Sequence, residues 1–307
     1  MSRTALVVGY GSIGQRHARV LESLSFEVEI VSRRRESGGR NVHSDLSDAL
    51  RAGGYDLVVL ADETRRHLDS LTDLANGGFN GSVLVEKPLF AWPAPLPRHS
   101  FTRAGVGYNL RFHPAVRALR DELRGRSAQM ADFYVGQWLG DWRPGQDVAE
   151  CYSASRAAGG GALRDLSHEL DLASWLFGDW RRVTALGGRL GSVTVDSDDG
   201  WGILLACERC QVMTVHLNCL DRVAHRSIVV QVDGETLRAD LVAGTLEIDR
   251  RTRTFPMEGD ATYVDLHRSL LSGSGDVCSL EQGLATVDLI AAIERAAAAR
   301  QWIEHTA

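Results

Sequence analysis

The strongest constraint in the chain lies within its first 24 residues. The apolar run Ala5-Leu6-Val7-Val8 leads directly into Gly9-Tyr10-Gly11-Ser12-Ile13-Gly14. Beyond it, Gln15 to Leu24 has helical spacing, with Ile13, Val20, Leu21 and Leu24 apolar. A buried strand, the pattern G-x-G-x-x-G and a helix in that order are what a dinucleotide-binding turn requires. Gly9 permits the tight turn, Gly11 lets backbone approach a pyrophosphate, and Gly14 lets helix and strand pack closely. The N–H groups at the helix start, from Ser12 and Ile13 onward, and the helix dipole then favour the anion.

The rest of the first third continues the alternation. Phe26–Val31, Tyr55–Ala61 and Ser82–Val85 read as strands. Leu46–Arg51 and Thr64–Ala75 read as helices, with Thr64 as the N-cap of the second. Strands alternating with helices predict βαβ units and a parallel sheet.

The second half is patterned differently. Ala128–Trp138, Val183–Leu190, Trp201–Cys207, Gln211–Cys219, Ser227–Val232 and Thr236–Leu241 are strand-like and closely spaced, which predicts a largely antiparallel sheet. One helix, Ala162–Leu176, interrupts them, and Leu280–Arg300 forms a long final helix. The length of 307 residues suits two domains, with a boundary near Phe112 to Pro114 and hence domains 1–112 and 113–307.

Composition narrows the function classes. A net charge of −6 argues against a nucleic-acid partner. No apolar run approaches the ~18 residues that cross a bilayer, and the stretch before Gly9 is too short for a signal peptide. The 5 cysteines are scattered and build no disulfide framework, so a reducing, cytoplasmic setting is expected. Cys207-Glu208-Arg209-Cys210 is a lone C-x-x-C that reads as a hairpin tip. His216, His225 and His267 form no ligand cluster, so no metal is expected.

The second strand ends in Val31-Ser32-Arg33-Arg34-Arg35. An NAD site usually carries Asp or Glu here for the ribose hydroxyls. Ser32 with the guanidinium forks of Arg33 and Arg34 suits a 2′-phosphate instead, so NADP is expected over NAD. The alternative is a solvated basic loop.

Strand-like Val83-Leu84-Val85 runs into Glu86-Lys87-Pro88-Leu89, placing Lys87 at the strand end where open α/β sheets bind ligands. Further along stand Gly107-Tyr108-Asn109-Leu110-Arg111-Phe112-His113-Pro114 and Gly159-Gly160-Gly161-Ala162-Leu163-Arg164-Asp165-Leu166-Ser167-His168-Glu169-Leu170-Asp171. With the glycine turn, these motifs resemble the glucose–fructose oxidoreductase and inositol dehydrogenase (Gfo/Idh/MocA) family over nearly the whole chain. The resemblance implies an α/β protein: an N-terminal Rossmann domain with a doubly wound parallel sheet, then a C-terminal α+β domain with an open sheet. It implies NAD(P)-dependent hydride transfer at a sugar, nucleotide sugar or cyclitol carbon, and a homodimer or homotetramer formed through that sheet. It also implies that Lys87, beside Glu86, touches both nicotinamide and substrate, and that a cis peptide precedes Pro88. The glycine-rich motif is similar to that of a bacterial branch linked with surface-sugar and nucleotide-sugar metabolism.

Asp165 and His168, three apart on the predicted helix, share a face. Together with the resemblance this makes His168 the general base or acid for an alcohol–ketone interconversion, with Lys87 polarising the oxygen. Asp165 orients the imidazole or bonds a substrate hydroxyl. Many family members space this Asp four residues before the His rather than three. Trp138 to Ala158 lacks regular pattern, and Trp142, Arg143, Tyr152 and Arg156 within it suit a sugar ring and its anionic groups. The alternative there is a surface loop. Arg111 and His113 either line the substrate site or fix the strand-to-helix turn. Two other function classes are open: cofactor-assisted glycoside cleavage without net redox change, and a non-catalytic dinucleotide sensor.

Overall fold

The computed structural model describes residues 3–32, 38–138, 140, 152–191 and 196–305. Arg33, Arg34, Trp142 and Arg143 lie outside the described residues. The chain divides into two compact units: Met1–Phe112 with Glu258–Val287, and His113–Met257 with Asp288–Ala307. This grouping differs from 1–112 and 113–307 in one stretch, Glu258–Val287, which packs with the first unit for a reason its side chains supply below.

The first unit holds a six-stranded parallel sheet. Its strands are β1 (Arg3–Val8), β2 (Phe26–Val31), β3 (Val42–His43), β4 (Leu57–Leu60), β5 (Ser82–Val85) and β6 (Arg103–Val106). The spatial order β3-β2-β1-β4-β5-β6 reverses direction between β1 and β4, which is where doubly wound sheets bind ligands. Helices α1 (Ser12–Ser23), α2 (Leu46–Ala52) and α3 (His67–Asn76) connect the strands. Alternate strand residues point to opposite faces. Leu6, Val58, Leu60, Val83 and Val85 fill one core, while Ala5, Val7, Leu57, Val59 and Leu84 fill the other. Leu266 and Leu270 complete the second core, and Val106 bridges to Cys278, so the 258–287 stretch belongs here by burial.

The second unit is built on a nine-stranded sheet in the order β14-β13-β12-β11-β7-β10-β9-β8-β15. The strands are β7 (Ala128–Gly136), β8 (Trp180–Gly188), β9 (Gly200–Cys207), β10 (Cys210–Asn218), β11 (His225–Val232), β12 (Glu235–Asp240), β13 (Thr245–Ile248), β14 (Arg251–Thr254) and β15 (Ile303–Glu304). All neighbours are antiparallel except β7 and β10. Phe133, Val135, Val183, Ile203, Leu205, Met213 and Val215 are buried, while Met130, Leu186, Leu204 and Val212 are exposed. α4 (Pro114–Glu122), α5 (Ala162–Asp165) and α6 (His168–Phe177) also belong to this unit. α7 (Ala261–Ser272) lies in the first unit, and α8 (Leu280–Ala299) begins in the first and ends in the second.

Two expectations are corrected. Thr64 is not an N-cap: it begins a short 3-10 turn, Thr64–Arg66, that runs on into α3. The helix expected over Ala162–Leu176 is two helices. Leu166 (φ −101°, ψ 22°) leaves helical geometry and Ser167 (φ −66°, ψ −2°) is the residue that opens the next helix, so α5 ends at Asp165 and α6 starts at His168. The shared-face argument for Asp165 and His168 therefore fails, because one helix axis does not carry both. β3, β6, β13, β14, β15, α4 and α7 had no counterpart in the sequence pattern. No described helix is long and apolar enough to cross a membrane.

Candidate active site

The glycine turn is shaped by backbone contact. Gly9 has φ +92°, and a Cβ there would lie 2.6 Å from both Ala61 O and Asp62 N, at the end of the neighbouring strand β4. A Cβ on Gly14 would overlap Gly9 O, so helix and turn can approach only without one. Gly11 faces open space. No side chain caps α1, and no acidic residue stands in its first turn. The first-turn N–H groups, with exposed Ser12 and half-buried Ile13, thus form an uncapped, open helix start that fits a pyrophosphate. Half-buried Ser32 follows β2, and its N–H donates to His43 O at 3.3 Å. Arg40 donates to both Glu22 carboxylate oxygens at 2.7 Å and to Tyr10 Oη at 2.5 Å.

The Glu86-Lys87-Pro88 turn leaves β5 braced on two sides. Glu86 is 6% exposed, with Oε1 2.8 Å from His17 Nε2 and Oε2 accepting the Lys87 N–H at 3.1 Å. His67 Nδ1 lies 3.1 Å from Pro88 O and 3.2 Å from Leu89 O, and its Nε2 is 3.2 Å from Asp62 O. The Lys87–Pro88 peptide is cis. Lys87 is half-buried and is the one lysine in the chain; the other 33 Lys-plus-Arg cations are arginines (34 less one). Gly107 belongs to the same construction, because a Cβ there would meet Glu86 Oε1 at 2.7 Å. Burial alone would raise the Glu86 carboxyl. The hydrogen bond from His17 and the nearness of its ring, with Lys87 beyond, instead hold it below the usual carboxylate value. Asp62 goes the other way: burial raises it despite His67 and a 3.0 Å bond from Ser70 Oγ.

In the second unit the glycine-rich motif is held by an acidic turn. Gly161 has φ +120°, and a Cβ would run into the Asp198 carboxylate. Asp198 Oδ2 accepts Leu163 N at 2.8 Å and Trp201 Nε1 at 2.6 Å, while Asp198 O accepts Ala162 N at 2.8 Å. Asp196 Oδ1 accepts Arg156 N at 2.8 Å, and Ser197 Oγ donates to Ser153 O at 2.8 Å. The Asp196–Asp199 turn thus straps the segment that leads to Asp165 and His168. Asp165 is half-buried at the end of α5, and His168 is 8% exposed at the start of α6.

The remaining expected residues have mixed surroundings. Tyr152 opens a 3-10 turn, Tyr152–Ala154. Arg156 is exposed and lies 3.6 Å from Glu294, which also takes both Nη atoms of Arg164 at 2.9 and 3.2 Å. Arg111 is 2% exposed, with Nη1 donating to Gln282 Oε1 at 2.9 Å. His113 fixes the turn: its Nδ1 accepts Ala115 N at 3.2 Å as the N-cap of α4, and its Nε2 donates to Leu241 O at 3.1 Å. Among the described residues no group of three or more His, Cys, Asp or Glu could hold a metal ion.

A profile of the GFO/IDH/MocA C-terminal domain matches residues 133–238. The rhizopine catabolism protein MocA of Rhizobium meliloti is 30% identical over 221 residues, 66% of this chain and 66% of that protein. The chain belongs to the Gfo/Idh/MocA family. Solved structures share the fold. GenD2 from gentamicin A biosynthesis, in complex with NAD, has a TM-score of 0.83 at 22% identity over 100% of this chain and 97% of its own. The WlbA dehydrogenase from Bordetella pertussis, in complex with NADH and UDP-GlcNAcA, gives 0.80 at 20% identity over 100% and 98%. Levoglucosan dehydrogenase in complex with NADH gives 0.83 at 16% identity over 99% of each chain.

Within this Gfo/Idh/MocA chain, sequence reading missed His17, His67 and the Asp196–Asp199 turn. His17 did leave a signal. It sits on the buried face of α1 with Gly14, Ala18 and Leu21, where an apolar residue is expected.

Proposed function

We propose that the protein is a nicotinamide-dependent oxidoreductase acting on a hydroxyl-bearing carbon of a sugar-like molecule. The observation that carries this is Lys87: the one lysine of the chain, at the C-terminal end of a parallel strand, on a turn fixed by Glu86 and His67. An ammonium there stabilises the alkoxide that develops as an alcohol is oxidised. His168 takes the hydroxyl proton in that direction and returns it in the other. Asp165 bonds a neighbouring substrate hydroxyl or orients His168. Arg111, Tyr152, Arg156, Trp142 and Arg143 complete the proposed substrate set. The glycine turn, with Gly9, Gly11, Ser12, Ile13 and Gly14, holds the coenzyme pyrophosphate, and Ser32 with Arg33 and Arg34 holds the adenosine ribose. When bound, the nicotinamide supplies the acceptor or donor of hydride.

NADP is the proposed coenzyme, because Ser32 stands where an acidic residue would bind the free ribose hydroxyls. NAD is the second reading, favoured by the NAD or NADH bound to GenD2, WlbA and levoglucosan dehydrogenase. The names of the relatives, rhizopine catabolism and levoglucosan dehydrogenase among them, support a sugar or cyclitol derivative as substrate class. Exposed Met130, Leu186, Leu204 and Val212 support a second copy covering the sheet of the second unit.

The test is a screen of sugars, cyclitols and nucleotide sugars for change in coenzyme absorbance, run with NAD and NADP in parallel. Turnover with at least one substrate, abolished in Lys87→Ala, is expected. Tight coenzyme binding with no redox change on any substrate, or turnover undiminished in Lys87→Ala, overturns the reading.

A further inference from the structure

The Glu86 carboxylate is shut away from water, and the groups around it form a row with a definite direction. His17 Nε2 from α1 lies 2.8 Å from Glu86 Oε1. Behind it, His17 Nδ1 lies 2.8 Å from Nε2 of His267 on α7, with the two rings edge-on. Tyr263 stands edge-on to His17 at 5.4 Å, the Arg16 guanidinium lies over Tyr263 at 5.2 Å, and Arg16 Nε pairs with Asp260 at 3.1 Å. On the other side of Glu86 are Lys87 and the side-chain-free Gly107. Among the described residues, Tyr263, Arg16, Asp260 and Lys87 are the titratable and charged groups found around the row.

The row ends at His267 Nδ1, which is buried and has no hydrogen-bond partner among the described residues. A bare lone pair is tolerated there better than an orphaned N–H, which is rare in buried positions. His267 therefore keeps its proton on Nε2 and donates to His17 Nδ1. His17, accepting at Nδ1, carries its proton on Nε2 and donates it to Glu86. The reversed row would need a protonated Glu86, or a doubly protonated His17 would have to donate to His267 Nε2, and either would strand an N–H at His267 Nδ1. Both histidines are thus neutral and Glu86 is the anion. Burial above all holds His267 well below the usual histidine value, in accord with a neutral His267.

We infer that His17 is a positioning residue for Lys87: by fixing Glu86 as a carboxylate it keeps a negative charge at the Lys87 N–H, and through that bond it pins the turn that carries the ammonium. The inference rests on the role proposed for Lys87 above. Loss of the His17 donor leaves a buried carboxyl that takes up a proton, and the negative charge that Glu86 holds at the Lys87 turn is lost with it.

Because the chain has one lysine, protein grown with 13C-labelled lysine gives a single Cε signal that follows Lys87 directly, with no substrate or coenzyme present. In His17→Leu and in Glu86→Gln the Lys87 titration is expected to move to lower pH by about 1 pH unit. In His17→Gln, whose amide can still donate to Glu86, it stays near that of the unmodified protein. An unmoved titration in folded His17→Leu or Glu86→Gln overturns the inference. Should neither variant fold, 15N-histidine spectra of the unmodified protein decide. His17 and His267 must both show the neutral Nε2–H tautomer at pH 7, and any other state of either ring overturns it. If the titration moves as expected while Lys87→Ala retains turnover, the proposed function fails and the charge-holding role stands. If Lys87→Ala is inactive while the titration is unmoved, the reverse holds.

Discussion

Lys87 and His168, the two side chains proposed to handle charge and proton, are held in opposite ways. Lys87 sits on a turn braced by buried side chains: His17 grips Glu86, and His67 reaches the carbonyls of Pro88 and Leu89. His168 sits at a break in the backbone, reached through glycines, a positive φ at Gly161 and an aspartate that ties Leu163 N–H and Trp201. A charge network is sensitive to single protons. A backbone shape is sensitive to added Cβ atoms and lost caps. The same chemistry placed on the two units should therefore fail by different routes.

Lys87→Ala should have the largest effect, lowering turnover roughly 10³-fold, the scale for losing one group that stabilises a developing oxyanion. Coenzyme affinity measured by fluorescence titration should change little. His168→Ala should lower turnover roughly 10²-fold or more. A profile of rate against pH should lose its acid limb in this variant while that of Lys87→Ala keeps it. If both variants lost the same limb, the division of labour between the two residues would be wrong.

Asp198→Ala tests the backbone route. It strips acceptors from Leu163 N–H and Trp201 Nε1–H, and should destabilise the protein by about 2 kcal/mol in urea unfolding. Asp198→Asn, which keeps one acceptor oxygen, should lose less. Equal stability of Asp198→Ala and the unmodified protein would show that the Asp196–Asp199 turn is not what holds this segment.

The smallest expected effect separates the two units by pH. Burial above all, with the nearby His17 ring second, keeps His267 in the first unit neutral in the folded state, below the ordinary value of ~6.5. In the second unit burial also lowers His113, against its bond to Leu241 O and with the charge of Arg226. Below about pH 6.5 the unfolded chain protonates these histidines while the folded chain does not, so stability should fall as pH drops. His267→Gln should flatten part of this slope, and His113→Asn, which keeps a capping side chain, another part. A stability curve indifferent to both substitutions between pH 7 and 5.5 would contradict the assignment.

Much of the first unit was legible because its signals are local. The strands ending at Val8, Val31 and Val85 are each bounded by glycine or charged turns, and the glycine spacing dictates the turn and the start of α1. The Glu86-Lys87-Pro88 turn carried its own motif. What escaped was long-range. Nothing near His17 in sequence announces Glu86, 69 residues away, or His267, 250 away. In the second unit, strand identity followed from alternation, but the parallel pairing of β7 with β10 and the exposed β14 (Arg-Thr-Arg-Thr) did not. The break at Leu166–Ser167 was hidden because Ala162–Leu176 keeps helical apolar spacing across it. α7 was missed although Asp260 precedes it and Gly273 (φ +75°) ends it, a recognisable start and stop.

Central to the account is a nicotinamide coenzyme on the glycine turn, with Lys87 handling the oxygen of the carbon it oxidises. The most direct measurement is coenzyme absorbance during a sugar and nucleotide-sugar screen, run side by side on the unmodified protein, Lys87→Ala and His168→Ala at fixed coenzyme occupancy. The account predicts coenzyme reduction by the unmodified protein with at least one substrate, and loss of that signal in both variants while coenzyme stays bound. Equal reduction rates in all three proteins would contradict it.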